Sequence, residues 1–171
     1  MRKTLFYICF CLPVFGFCQG QFQQESAGAV SFASGRVIQL LDAIPDDMLD
    51  WKPADGVRSF REVFAHIAQS NYFFGSRLGV AVPAGVDVMN LPATLKTKDQ
   101  LKSALGDSFN YLSDAMRNTK DDTLPDKVEF PFPGEYTTMS AILIALTHMR
   151  EHMGQLIAYS RFNGITPPWS E

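Results

Sequence analysis

Three histidines are the whole imidazole complement of this 171-residue chain, and two of them, His148 and His152, lie four residues apart. On a helix that spacing sets both rings on one face about one turn apart, as two ligands sharing one metal ion require. The same stripe carries Gln155 and Tyr159, with Leu146, Met153 and Leu156 to either side. His66 falls among Val63, Ile67 and Phe73 in a second stretch of helical periodicity. Three imidazoles from two helices would leave coordination positions open to water or substrate, the catalytic rather than the structural pattern of metal ligation. The plain alternative is three satisfied core histidines, because H-x-x-x-H pairs recur by chance. The site is favoured because all three fall on helical stretches where inward projection is open to them.

Neighbouring residues narrow the chemistry. Glu151 completes an H-x-x-E-H string, which in inverted zinc peptidases makes the glutamate a general base. Those enzymes need a further acidic ligand well downstream, and only Glu171 follows His152, so a peptidase is disfavoured. Beside Arg150, Glu151 reads better as a solvated charge than as a base. A di-iron bundle needs Glu-x-x-His pairs, and none of the three histidines has a glutamate three residues before it. Gln155 either orients a water or substrate on the ion or is a buried amide bonded to backbone. Tyr159 either hydrogen-bonds within the site or packs. Trp51 and Pro53 read as packing of an inter-helix loop rather than as an aromatic lid.

Four helical stretches separated by Pro/Gly punctuation must position these groups. The first spans about Glu25 to Ile44, with Val30, Val37, Leu40, Leu41 and Ile44 at helical spacing. Ser59 and Glu62 form a capping box that opens the second, which runs to about Gly79. Val80 to Lys96, with Pro83, Gly85 and Pro92, is a long connection, suited to a crossover between helices that are not antiparallel neighbours. Thr97 and Gln100 form a second box, opening a helix through Leu101, Leu105, Phe109, Leu112 and Met116. The last helix spans about Thr138 to Phe162, stopped by Asn163-Gly164 and Pro167-Pro168. No stretch alternates with period two for long enough to build a sheet. The expected fold is all-α, a four-helix bundle with the long crossover between helices 2 and 3.

Composition agrees with one packed domain: hydrophobic residues are 46% and charged residues 19%. A formal charge of −3 argues against nucleic acid as a partner. Residues 1–20 read as a signal peptide, with Arg2 and Lys3 ahead of an apolar run from Leu5 to Phe17 and small residues suited to cleavage after Cys18 or Gly20. The run is too short to span a bilayer, so no membrane association is expected after cleavage, and residues 21–171 form the domain. Cys9, Cys11 and Cys18 all lie in or at the edge of this leader, so a cut after Cys18 leaves neither disulfide nor thiol catalysis. An exported protein, periplasmic or extracellular, is expected.

Four segments carry a resemblance. Leu49-Asp50-Trp51-Lys52-Pro53, Arg58-Ser59 followed by Phe64-Ala65-His66-Ile67-Ala68, the helix His148 to Ile157, and Arg161-Phe162-Asn163-Gly164-Ile165-Thr166-Pro167-Pro168 together resemble the DinB family of helical-bundle metalloproteins, in order and spacing. The resemblance implies an up-down-down-up bundle. It implies a divalent metal on His66, His148 and His152, zinc or nickel first and iron or manganese as alternatives, and a homodimer as the common assembly. Some members are thiol-dependent S-transferases, a role that export puts in doubt because thiol cofactors are scarce outside the cell. The function expected is a metal-dependent hydrolase or group transferase that activates water or a substrate thiol or hydroxyl on an unidentified small molecule. The alternative is a non-catalytic bundle that binds a metal or small ligand. An open cleft with polar neighbours would favour the first and a sealed ion the second.

Overall fold

The computed structural model describes residues 20–170, so the leader expected over 1–20 lies, Gly20 apart, outside the described residues. The described chain is mostly helical: α1 (Gln21–Ala43), α2 (Phe60–Arg77), the short α3 (Leu91–Thr94), α4 (Lys98–Asn118) and α5 (Thr138–Phe162). Between α4 and α5, β1 (Lys127–Val128) and β2 (Tyr136–Thr137) pair antiparallel, Lys127 opposite Thr137 and Val128 opposite Tyr136. Among the described residues no helix is long and apolar enough to cross a membrane.

Both capping boxes form. The Ser59 hydroxyl accepts from the Glu62 N–H at 3.3 Å while the Glu62 carboxylate accepts from the Ser59 N–H at 2.8 Å, and Thr97 and Gln100 repeat the exchange. These bonds fix the first turn of α2, and with it the angle at which His66 is presented. At the far end of α5 the chain turns through Gly164 at φ 71°, and Ile165 N–H returns to the Ser160 carbonyl at 2.9 Å.

The core is one cluster shared by the four long helices. Ala27, Val30, Ala33, Val37, Leu40 and Leu41 of α1, Phe64 and Ile67 of α2, Leu105 and Leu112 of α4, and Ile142 and Leu156 of α5 are buried in it. Polar contacts fix how pairs of helices run. Lys98, which opens α4, donates to the Ile44 carbonyl just past α1, and Lys102 pairs with Asp42. At the other end Gly20 N–H and the Gln23 amide donate to Asp121, which follows α4. So α1 and α4 lie in opposite senses. Between α2 and α4, Asn71 donates to Ser108 and the Tyr111 hydroxyl reaches the Val80 carbonyl past the end of α2, so these two lie in the same sense. They approach closely at Gly75, where the Tyr111 ring occupies the space a β-carbon would need.

Three features differ from the sequence expectation. α1 starts at Gln21 rather than near Glu25, because Gly20 (φ 81°) and Gln23 are tied to Asp121 across about a hundred residues, beyond the reach of local pattern. The long connection holds α3, and the connection before α5 holds the β1–β2 pair. Both are too short for a periodicity to show.

Candidate metal centre

α2 and α5 lie in opposite senses, with Phe60 against Tyr159 near one end and Phe74 against His148 further along. Between those contacts the three imidazoles meet. His148 Nε2 lies 3.2 Å from His66 Nε2 and 3.2 Å from His152 Nε2. The ligand nitrogens of all three rings lie within 4.8 Å of one another. A tetrahedral site with zinc–nitrogen bonds near 2.05 Å has ligand–ligand edges of about 3.3 Å, so the two short separations fit one small divalent ion. The donor set fits too: neutral imidazoles suit zinc, nickel, copper or iron, and no described carboxylate joins the trio to favour a harder ion.

The surroundings favour the neutral form of two of these rings, His66 and His148. His66 and His148 are each lowered from the ordinary 6.5 to about 4. For both, the main cause is burial, which penalises the charged ring, and neighbouring positive charge from Arg58 and the other imidazoles adds to it. A ring that is already unprotonated presents its lone pair to a cation without first losing a proton.

Hydrogen bonds orient the trio. His152 Nδ1 lies 2.8 Å from Gln155 Oε1, and Gln155 Nε2 donates to the Tyr159 hydroxyl at 2.8 Å. An amide oxygen can only accept, so Nδ1 of His152 carries the proton and Nε2 faces the other rings as an acceptor. Tyr159 is itself clamped by Trp51 and Phe60, with ring centroids 5.6 Å away in both cases. The expected packing role of Trp51 is what the structure has: its ring lies against Phe60, Tyr159 and Phe162. Glu151 is exposed and lines neither cavity at the centre, and its side chain makes no hydrogen bond among the described residues.

Two cavities open beside the imidazoles, with His66 and Gln69 lining both. One, of about 410 Å³, is also lined by Val57, Arg58, Glu62 and Pro92. The other, of about 300 Å³, is walled by Phe73, Phe74, Val88, Met89, Phe132 and His148. These volumes are of the size that takes small molecules. Gln69 Nε2 donates to the Val88 carbonyl at 2.9 Å, fastening the long connection over the second cavity.

Sequence reasoning singled out the three histidines, Gln155 and Tyr159, and the structure brings all five together. It did not single out Gln69 or Arg58 as site residues. A signal for Gln69 was present: His66-x-x-Gln69 and His152-x-x-Gln155 repeat one spacing on two helices. For Arg58 no local signal exists, because it lies before α2 and reaches the imidazoles only through the fold.

Comparison with known proteins agrees with this architecture. The family model described as DinB superfamily matches residues 30–156, well over half of the chain. No curated protein matches the sequence. Among solved structures, a DinB-like protein from Bacillus subtilis superposes with a TM-score of 0.67 at 19% identity, covering 86% of this chain and 97% of the other. A DinB-like protein from Bacillus cereus gives 0.67 at 18% identity, covering 81% and 90%. A conserved protein from Enterococcus faecalis gives 0.65 at 16% identity, covering 81% and 94%. At these identities the likeness speaks for the fold alone.

Proposed function

The chain belongs to the DinB superfamily, and from that premise we propose that it is a metal-dependent hydrolase or group transferase whose ion is held by His66, His148 and His152. The observation that carries this reading is the convergence of ring nitrogens from α2 and α5 at 3.2 Å, on open rather than sealed cavities. We infer also the up-down-down-up order of the four long helices. The opposite senses of α1 and α4, and of α2 and α5, with α2 and α4 in the same sense, support it.

When bound, a divalent ion would supply the Lewis acidity that brings proton loss from water, a thiol or a hydroxyl towards neutral pH. The chain's own groups do the rest. The Tyr159–Gln155 pair holds the proton on Nδ1 of His152 and so points Nε2 inward. Gln69 beside His66 holds the loop that covers one side of the site. The apolar walls of Phe73, Phe74 and Phe132 would shed water once a ligand covers them, which would strengthen the electrostatic contacts beneath it. Zinc or nickel is the ion proposed first. The open cavities favour turnover over simple metal storage. Export is part of the same proposal, with N-terminal sequencing of the protein made in its native host as its check: a first residue near 19–21 supports it and an intact Met1 overturns it.

The test is elemental analysis of untagged protein and of His148→Ala. About one metal per chain in the wild type and none in the variant is the expected result. No metal in the wild type after reconstitution at neutral pH would overturn the proposal. Screening esters, amides and thiol conjugates against the loaded protein then reads the reaction class.

A further inference from the structure

The two cavities differ in chemistry although they share a wall. In the larger, the Arg58 guanidinium has no ion pair and no hydrogen bond among the described residues. Some other basic groups are committed, Arg61 to Asp50, Lys98 to Asp46 and Lys102 to Asp42, whereas Arg58 is unpaired where it lines a cavity. The carboxylate facing the same space, Glu62, is tied through one oxygen to the Ser59 N–H as part of the helix cap. A free guanidinium fork is the group best shaped to bind a carboxylate through two parallel hydrogen bonds. The smaller cavity offers aromatic and aliphatic walls. At its rim Met89 is 82% exposed and Phe132 41% exposed, and Val57 of the neighbouring cavity is 40% exposed. Side chains of this kind leave water when an apolar body covers them. His66 and Gln69 stand between the two chambers.

We propose that the site takes a small monoanion with an apolar body: its carboxylate meets Arg58, its body lies against Phe73, Phe74 and Phe132, and the bond that reacts crosses between them over His66. The assignment rests on the function proposed above for the place of the reacting bond, but not for the two binding chambers. A monoanion is favoured over a phosphate because a single guanidinium faces the ligand and the Glu62 carboxylate on the same wall repels any second negative charge. A combined volume of some hundreds of cubic ångströms suits a body the size of one ring or a short branched chain.

The experiment is a calorimetric titration of the full chain, as purified and after chelator treatment, with 3-phenylpropanoate, 3-phenylpropanamide, propanoate and phenyl phosphate. The chelated arm removes any metal as a rival anchor for the anion. In that arm 3-phenylpropanoate is expected to bind about tenfold more tightly than its amide, the worth of one charge-assisted contact, and more tightly than propanoate. Arg58→Gln is expected to abolish the preference for acid over amide while leaving the amide's affinity in place. Phe132→Ser is expected to weaken all three aryl ligands and spare propanoate. Circular dichroism of each variant establishes that it is folded. Equal affinity for acid and amide in the wild type, or a preference that survives Arg58→Gln, would overturn the proposal. Tighter binding of phenyl phosphate than of 3-phenylpropanoate would overturn the monoanion assignment. Metal content is measured on the same samples: an Arg58-dependent preference in protein that never takes up metal would uphold this inference while sinking the metal reading, and the reverse pattern would do the opposite.

Discussion

The α1–α4 side of the bundle and the α2–α5 side are made from the same kind of helix and do opposite things. Where α1 meets α4 small residues bring the helices close: Ala27 and Ala33 are fully buried, and the Ser113 hydroxyl donates to the Ala27 carbonyl. Each end of that pair is pinned by charged or amide groups, Asp121 at one and Lys98 and Lys102 at the other. Where α2 meets α5, bulky rings fill the seam, three of them imidazoles, and space remains for ligand. Burying an imidazole that gains no protein charge partner costs stability, as the depressed pKa values of His66 and His148 record. One side holds the domain together, and the other is left free to carry chemistry.

That division can be broken. The largest effect is expected from Leu112→Ala, a fully buried α4 position. It should destabilise by about 2–5 kcal/mol in urea unfolding and leave metal bound per folded chain unchanged. Loss of metal from the folded fraction would show the two sides to be coupled. Next comes Gln155→Leu, which removes the acceptor from His152 Nδ1. Metal affinity in a competitive chelator titration should drop by about 10–100-fold, with the urea midpoint of the metal-free protein little changed. The smallest effect is one of pH, because His66 and His148 are only part-buried and water screens their charge. Both titrate at about 4 when folded against 6.5 when free. Between those values the unfolded chain holds more protons, so acidification from 6.5 towards 4 should lower the melting temperature of metal-free protein, with the decline levelling off below about 4. In His148→Phe that slope should shrink. A slope unchanged by the substitution would place the titrating groups elsewhere.

What the sequence disclosed follows from how local each signal is. The caps at Ser59 and Thr97 lie within four residues of their partners, so the starts of α2 and α4 were legible to the residue. The pair His148 and His152 was legible because one helical turn joins them, and His66 because no other imidazole was left to assign. The walls of the site were not. Met89 and Phe132 come from two connections that show no periodicity, and their meeting depends on Gln69 holding Val88 and on Phe130 stacking with Phe132 at 4.9 Å and packing beside Phe73 and Phe74. Contacts of that kind are set by tertiary packing and leave no trace in spacing.

Because α2 and α4 lie in the same sense, the chain leaving Arg77 must travel back along the bundle before Lys98 can begin. That return trip is compulsory for the topology, yet Gln69 fastens it across the imidazoles. A strip of chain demanded by geometry alone thereby supplies a wall of the chamber, Val88 and Met89, that lies outside the packed core. Insertions or substitutions there could retune which molecules are accepted while the interior packing stays untouched, so selectivity and foldability can diverge independently in this scaffold.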